Sequence, residues 1–199
     1  MDTETIETYD YLAAEYDAET AGFWELFPRT ILDEFTKCVG KGMVVDIGSG
    51  PGRGALLLQK SGCQVRCLDA SQAMVDICLQ KGLDTVKGDL IHTSFKDSEF
   101  DGVWAYTSLL HIPKSSMHDA LQEMSRILKP KGVLLLGLIE GQDEAYRTSS
   151  GVNRPRLFAY YMRSEIEQLL TAAGFDIEYF ESFKPASKVY LNYILRKRA

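Results

Sequence analysis

A short apolar run leads into a glycine-rich turn in the segment Val44-Val45-Asp46-Ile47-Gly48-Ser49-Gly50-Pro51-Gly52-Arg53-Gly54. The run has the length of a buried strand, and the turn leads into a helix. Glycines let the backbone turn tightly against a ligand, and the amides at the helix start favour an acidic or electron-rich group. The segment therefore predicts a nucleotide site. The segment also satisfies a loose form of the dinucleotide-binding motif, so by itself it does not distinguish a dinucleotide from another nucleotide ligand.

Further apolar runs of strand length occupy residues 63–68, 100–105 and 133–139. Near-continuous runs of this kind are typical of parallel strands that are covered on both faces. Between them, Ser71 is placed to cap a helix that Gly82 ends, and Ser116 with Asp119 forms a capping-box pattern. This alternation predicts an open α/β sheet with right-handed crossovers.

Both ends of the chain depart from simple alternation. Two helix-like stretches, residues 5–17 and 23–38, precede the first strand. Residues 175–182 and 189–196 read as two strands, and the six residues between them are too few for a crossover helix. The last two strands are therefore predicted to form an antiparallel hairpin.

Composition limits the class of protein. The 199 residues suffice for one domain, with 45% apolar residues and a net charge of −6. This charge argues against nucleic acid as a partner. No signal peptide and no apolar run of about 20 residues is visible, which predicts a cytoplasmic protein that does not bind membranes. The four cysteines lack CxxC spacing and histidines are few, so we expect reduced, buried thiols and no metal.

Three carboxylates follow three successive strands. Asp69 ends the second strand, where it can accept hydrogen bonds from both ribose hydroxyls. Asp46 precedes the first glycine, where it would repel a pyrophosphate but attract an ammonium group. Asp89 follows the third strand and could accept from an adenine amino group. Because ligands of open α/β sheets bind at the carboxyl ends of strands, this set favours a cationic nucleoside over an anionic dinucleotide.

The ordered motifs resemble those of the class I S-adenosylmethionine-dependent methyltransferases, from about Met43 to the C-terminus. The matching segments are the glycine turn, Val65-Arg66-Cys67-Leu68-Asp69-Ala70-Ser71, Lys87-Gly88-Asp89-Leu90, Phe100-Asp101-Gly102-Val103-Trp104-Ala105 and Arg126-Ile127-Leu128-Lys129-Pro130-Lys131-Gly132. The resemblance implies a doubly wound, mostly parallel seven-stranded sheet with a C-terminal antiparallel hairpin and helices on both faces. It also implies a single domain over residues 1–199. Its parts would be a helical lid (1–40), a cofactor-binding core (41–139), a substrate-side insertion (140–162) and a C-terminal helix and hairpin (163–199).

The resemblance also implies roles for individual residues. S-adenosylmethionine would bind with its methionine part against Gly48, Ser49 and Gly50, its ammonium near Asp46 and its ribose on Asp69. The remaining contacts that it implies are Ala70, Met74, Asp89 and Leu90 around the adenine, Ala105 and Tyr106 near the methyl group, Tyr9 and Tyr16 from the lid, and Arg53 on the carboxylate. The product would be S-adenosylhomocysteine.

His111 is the candidate general base, because it follows the fourth strand at the expected mouth of the cleft; a structural role is the alternative. Substrate recognition is placed in the insertion, which carries Arg147, Arg154 and Arg156 with Tyr146, Phe158, Tyr160 and Tyr161. These side chains predict a small anionic or aromatic methyl acceptor. A nicotinamide-dependent oxidoreductase and a non-catalytic S-adenosylmethionine-binding regulatory protein remain alternatives. The sequence does not indicate the oligomeric state.

Overall fold

The structure is a computed structural model that describes residues 2–148 and 154–198. Its helices are α1 (Thr3–Glu19), α2 (Ala21–Leu26), α3 (Arg29–Val39), α4 (Arg53–Lys60), α5 (Gln72–Gln80), α6 (Met117–Ile127) and α7 (Arg163–Ala172). Its strands are β1 (Met43–Ile47), β2 (Gln64–Asp69), β3 (Asp84–Lys87), β4 (Phe100–Tyr106), β5 (Leu128–Ile139), β6 (Glu144–Thr148), β7 (Pro155–Ala159), β8 (Phe175–Phe183) and β9 (Tyr190–Lys197).

Seven strands form one sheet in the order β3-β2-β1-β4-β5-β9-β8. The first five pair in parallel, whereas β9 runs antiparallel to both β5 and β8. The predicted doubly wound sheet with a C-terminal antiparallel hairpin is confirmed. The strand order reverses between β1 and β4, and such a reversal is where open α/β sheets form a ligand crevice.

Apolar side chains cover both faces of the sheet. On one face, α3 and α4 bury Phe35 and Leu58 against alternate residues of the strands, such as Val44. On the other face, α6 and α7 bury Met124 and Ile166. Alternation along β1 sends Val44 and Val45 to opposite faces, which explains why the central strands read as continuous apolar runs.

The helical region before β1 differs from the prediction in one respect. Residues 23–38 form two helices, and the break falls at Pro28, which is the N-cap of α3. Proline lacks the amide hydrogen that a continuing helix needs, so α2 ends before it and α3 begins after it. The break turns Phe23, Trp24 and Phe27 toward the end of the sheet.

Of the two helix caps predicted from the sequence, the one on α5 is found and the one on α6 is not. Ser71 caps α5 as predicted, and its side chain accepts a hydrogen bond from the Met74 amide. The capping box at Ser116 is wrong, because a short 3₁₀ turn over 114–116 holds Ser116 in the helical region and its side chain makes no capping bond. Helical backbone at this position keeps the hydroxyl from the amides that it would cap.

The insertion contains an antiparallel hairpin of β6 and β7, for which the sequence analysis predicted no structure. Among the thiols, Cys63, Cys67 and Cys78 are buried as expected, but Cys38 near the end of α3 is exposed. The prediction of four buried thiols is therefore wrong at Cys38.

Candidate active site

A cleft opens at the carboxyl ends of β1, β2 and β4, with an empty volume of about 740 Å³. Most of the residues predicted to bind the cofactor line it, namely Tyr9, Tyr16, Asp46, Gly48, Ser49, Gly50, Arg53, Asp69, Ala70, Met74, Leu90 and Tyr106, and His111 lines it as well.

Two predicted residues do not line the cleft. The side chain of Asp89 accepts hydrogen bonds from the amides of Ile91 and His92, so it caps its own loop, while Leu90 next to it reaches the cleft. Ala105 is fully buried within β4 and packs in the core. Both residues remain predictions as cofactor contacts.

The glycine turn brings the ends of β1 and β2 together. The amides of Gly48 and Ser49 both donate to the carbonyl oxygen of Leu68, at 2.8 and 3.1 Å. Gly48 has a φ of +67°, and a side chain there would meet Cβ of Ser108 at 2.3 Å. Glycine at this position therefore permits both the turn and the close approach of the loop after β4.

Asp69 lies at the end of β2 and holds the turn from the other side. One carboxylate oxygen accepts from the Gly50 amide at 2.7 Å, and the other accepts from the Ser71 amide at 2.9 Å. Burial raises the pKa of Asp69 to about 6, although these backbone amides act in the opposite direction. A carboxylate oxygen has two lone pairs, so each oxygen can still accept one further hydrogen bond from a ligand.

Asp46 is buried in the wall of the cleft, at the start of the turn. Burial raises its pKa well above the ordinary value, and the nearby Cys78 and Asp69 add to the effect. Gly54 at the start of α4 lies between Asp46 and Trp104, because a side chain there would meet the Trp104 Nε1 and the Asp46 Oδ2 at about 3 Å. A buried carboxyl with this environment is suited to a cationic partner, which would restore its ionised form.

Helix α1 lies across the cleft and is tied to both of its sides. On one side, Asp10 accepts from the Ser71 hydroxyl at 2.6 Å and from the Ala73 amide at 3.1 Å. On the other side, the Thr8 hydroxyl donates to the Pro155 carbonyl at 2.8 Å, and the Thr5 hydroxyl accepts from the Leu157 amide at 2.9 Å.

Tyr9 connects α1 to His111. The Tyr9 hydroxyl lies 2.7 Å from Nε2 of His111, and Nδ1 of His111 lies 2.6 Å from the carbonyl oxygen of Leu157. Burial lowers the pKa of His111 to about 3, and the nearby Arg156 contributes in the same direction. His111 is therefore neutral, and both of its ring nitrogens are hydrogen-bonded within the protein.

Arg53 lines the cleft, and its guanidinium binds the end of α1. Its guanidinium contacts the Asp17 carboxylate at 2.8 Å and the Asp17 carbonyl oxygen at 2.5 Å. Lys81 binds the other oxygen of the same carboxylate at 2.7 Å. This arrangement makes Arg53 a link between α1 and the glycine turn; its role toward a ligand carboxylate remains a prediction.

Several residues of the cleft were missed by the sequence analysis. They are Thr5, Ile6, Trp24, Ser71, Trp104, Thr107 and Ser108. Trp24 and Trp104 lie 5.8 and 6.1 Å from the Tyr106 ring, so aromatic faces form one wall. The position of Trp104 in β4 was a usable signal, whereas nothing in the local sequence marks Trp24 as part of the cleft.

The arginines of the insertion have different environments. Arg154 lies over the ring of the exposed Tyr11, and Arg147 pairs with Asp143 and lies over Tyr160. Arg156 is only 8% exposed, and its Nη1 donates to the Tyr9 hydroxyl at 3.0 Å. Among these three arginines, only Arg156 reaches the wall of the cleft, through Tyr9.

Other aromatic residues of the insertion support the structure around the cleft. Tyr146 donates to the Asp2 carboxylate at 2.5 Å, and the buried Tyr161 ring packs below the ammonium group of Lys114. Phe158 packs against His111, with ring centroids 4.7 Å apart. The insertion thus contributes Phe158 and Arg156 to the surroundings of His111.

Between residues 2 and 148 and between 154 and 198, no three metal-ligating side chains lie together. No helix in those same parts of the chain is both long and apolar enough to span a bilayer.

Residues 45–136 match the family model described as a methyltransferase domain. A glycine/sarcosine/dimethylglycine N-methyltransferase of Actinopolyspora halophila is 32% identical over 57% of this chain, which is 21% of the relative. An uncharacterized methyltransferase of Staphylococcus carnosus is 27% identical over 83% of this chain and 79% of the relative. The chain spans 21% to 36% of the length of four curated relatives that it matches at 30–33% identity.

The fold is also found in a solved enzyme structure. The 1,6-didemethyltoxoflavin-N1-methyltransferase of Burkholderia thailandensis superposes with a TM-score of 0.77 over 98% of this chain and 88% of that chain, at 20% identity. That enzyme was crystallised with 1,6-didemethyltoxoflavin and S-adenosylhomocysteine. At this identity the likeness concerns the fold.

Proposed function

We propose that the chain transfers a methyl group from S-adenosylmethionine to a small molecule, since residues 45–136 match the family model of a methyltransferase domain and the chain has a doubly wound, mostly parallel sheet. One observation carries the proposal. Two carboxylates, the buried Asp46 and the half-buried Asp69, flank the glycine turn and line a cleft of about 740 Å³. A cationic nucleoside would satisfy both carboxylates, whereas a pyrophosphate would be repelled by them.

The residues of the cleft fit S-adenosylmethionine. Asp69 would accept from the ribose hydroxyls, Asp46 would face the ammonium group, and Met74 with Leu90 would cover the adenine. Ser108 supports the fit, because its buried hydroxyl lines the cleft and has no hydrogen-bond partner among the described residues. A buried hydroxyl without a partner costs free energy that a polar ligand group would recover.

When bound, the cofactor would supply a methyl group on a positively charged sulfur, open to attack by a lone pair of the acceptor. The protein aligns the acceptor and excludes water, and orientation alone can contribute up to roughly 7–11 kcal/mol. Helix α1 would close the cleft, since Thr5, Tyr9 and Tyr16 line its roof. The aromatic wall of Trp24, Trp104 and Tyr106 excludes water on the other side.

We propose that His111 accepts a hydrogen bond from the reacting hydroxyl or amine of the methyl acceptor, directly or through Tyr9. Its Nδ1 donates to Leu157, which leaves Nε2 as the basic atom, and Nε2 now accepts from the Tyr9 hydroxyl. An acceptor hydroxyl or amine that replaced Tyr9 there would meet a neutral imidazole. The low pKa of about 3 means that His111 would act as a positioning acceptor more than as a strong base.

The alternatives receive no support beyond the sequence patterns that suggested them. Nothing in the family match or in the relatives named above favours a nicotinamide-dependent oxidoreductase. A non-catalytic S-adenosylmethionine-binding role predicts binding without turnover, so experiment can separate it. The exclusion of nucleic acid and the cytoplasmic location rest on composition and stay predictions.

Calorimetric titration with S-adenosylhomocysteine tests the proposal, with NADH and NADPH as separate controls. We expect micromolar binding of the first and none of the others. Asp69→Ala should weaken binding at least tenfold, because a hydrogen bond to a charged group contributes about 1.5–3 kcal/mol. Asp33→Ala, which changes an exposed acid on α3, is the matched control. Binding of a nicotinamide cofactor alone would overturn the proposal.

A further inference from the structure

Acidic and basic residues near the cleft lie on different sides of β4, apart from Arg53 and Lys81, which are paired with Asp17 beside the glycine turn. The acidic residues Asp46 and Asp69 lie at the ends of β1 and β2, on one side of β4. On the other side of β4 lie Arg156, on β7, and Lys188, in the loop between β8 and β9. Because Tyr190 pairs with Ile139 at the end of β5, this loop lies at the same carboxyl edge of the sheet as the glycine turn.

Phe158 brings the basic residues next to His111. The Arg156 guanidinium carbon lies 5.3 Å from the Phe158 ring centroid, and the Lys188 ammonium nitrogen lies 5.5 Å from the same centroid. The His111 ring contacts Phe158 at 4.7 Å, and His111 lines the cleft. Two cations therefore share one aromatic ring that packs directly against His111, a residue that lines the cleft.

Positive charge is crowded around Phe158. Arg147 of β6 lies directly opposite Arg156 of β7 in the hairpin register. Like charges directly opposite on neighbouring strands are destabilising. Arg147 pairs with Asp143, but Lys188 forms no ion pair within the described parts of the chain. Partial burial, followed by the nearby Arg156 and Arg147, lowers the pKa of Lys188.

We propose that Lys188 and Arg156 bind an oxyanion, a carboxylate or a phosphate, on a planar methyl acceptor whose ring packs near Phe158. This inference rests on the proposed function, because it concerns the acceptor side of the same cleft. The cationic nucleoside takes the acidic side and the anionic acceptor takes the basic side, so each reactant meets charges of opposite sign. The arrangement also orients the acceptor, since its anionic end is held away from Asp46 and Asp69.

Binding of small aromatic probes to the protein saturated with S-adenosylhomocysteine tests the inference. The probes are benzoate and 4-hydroxybenzoate for a carboxylate, phenyl phosphate for a phosphate, and benzamide with 4-hydroxybenzamide as neutral counterparts. Ligand-observed NMR measures each affinity. We expect at least one anion to bind about tenfold more tightly than its neutral counterpart, as a charge-assisted contact implies. The preferred anion distinguishes a carboxylate from a phosphate.

Variants of one loop provide the control. Lys188→Gln should lower the affinity for the anionic probe about tenfold and leave the affinity for S-adenosylhomocysteine unchanged. Lys184→Gln, which removes another exposed cation of the same loop, should change neither affinity. Three outcomes would each overturn the inference. They are equal binding of anionic and neutral probes, no binding of any anion at a probe concentration of about 10 mM, and an unchanged anion affinity in Lys188→Gln.

Thermal unfolding of the ligand-free protein distinguishes a binding role of Lys188 from a structural one. If Lys188 is an anion-binding residue without its anion, Lys188→Met should raise Tm, because it removes an uncompensated cation near two others. A fall in Tm relative to Lys184→Met would show that Lys188 supports the fold, and would contradict the inference. If S-adenosylhomocysteine itself fails to bind the wild-type protein, the proposed function fails first, so the two failures are distinguishable.

Discussion

Tyr9 and His111 are joined by a hydrogen bond of 2.7 Å between the phenol oxygen and Nε2, across 102 residues of sequence. The carbonyl of Leu157 can only accept, so the proton of the neutral ring lies on Nδ1 and Nε2 accepts from Tyr9. The Tyr9 oxygen in turn accepts from Arg156 at 3.0 Å. Three elements that are far apart in sequence thus meet at one phenol group.

Replacement of that phenol group is the first prediction. Tyr9→Phe leaves the His111 Nε2 without its donor and removes a contact between α1 and the wall of the cleft. We expect a loss of about 1–2 kcal/mol in S-adenosylhomocysteine binding, measured by calorimetry. Tyr11→Phe, on the same helix but with 69% of the residue exposed, is the control and should bind normally. Equal affinities of the two variants would show that Tyr9 does not contribute to ligand binding.

The affinity for S-adenosylhomocysteine should depend on pH through Asp69. Burial raises the pKa of this carboxyl from 3.8 to about 6, and the ribose hydroxyls bind its ionised form best. Affinity should therefore fall as pH falls below about 6 and level off above it. Calorimetry between about pH 5 and 8 measures this. In Asp69→Asn the side chain cannot ionise, so the fall in affinity at low pH should disappear. An unchanged pH profile in that variant would assign the dependence to another group.

Asp46 leads to a prediction about protons. Its pKa lies well above the ordinary value because it is buried near Cys78 and Asp69. An ammonium group bound beside it would favour the ionised form, so binding should release protons to the solvent at neutral pH. The heat of binding should then vary with the ionisation enthalpy of the buffer. In Asp46→Asn this variation should be smaller; the same variation in both proteins would contradict the assignment.

Gly48 allows a steric prediction. Gly48→Ala combines a φ of +67° with a new atom 2.3 Å from Cβ of Ser108, so the loop after β4 would have to move. We expect a loss of stability of about 2–4 kcal/mol from strain and overpacking. Gly62→Ala also has a positive φ but open space around it, and it should lose only about 1 kcal/mol. Urea denaturation compares the two variants, and similar losses would remove the steric argument.

The sequence was sufficient for the parts of the site that depend on local chemistry. Strand, glycine turn and helix follow one another along the chain, and Asp46 and Asp69 occupy defined positions within that unit. Contacts between distant segments were not predictable. Trp24 reaches the cleft only because α2 ends before Pro28, and Lys188 approaches Phe158 only because β9 pairs with β5.

The arginines of the insertion illustrate the same limit. Their composition predicted an acceptor site, but it could not show which arginine faces the cleft. Register decides this, because Arg156 and Phe158 lie two residues apart on one face of β7, while Arg154 precedes the strand and packs on Tyr11. Ser116 shows the same limit at a helix end, since the 3₁₀ turn over 114–116 prevents the capping bond that its local pattern predicts.

Helix α1 has a consequence for rates. Its side chains Thr5, Thr8 and Asp10 bind both sides of the cleft, and its residues form the roof above Asp69. A ligand beneath this roof can leave only after several of these bonds break together. Dissociation would then follow the opening frequency of the helix, not the strength of the ligand's own contacts. Residence time and affinity would respond to different mutations, and release of the spent cofactor would set the pace of repeated turnover.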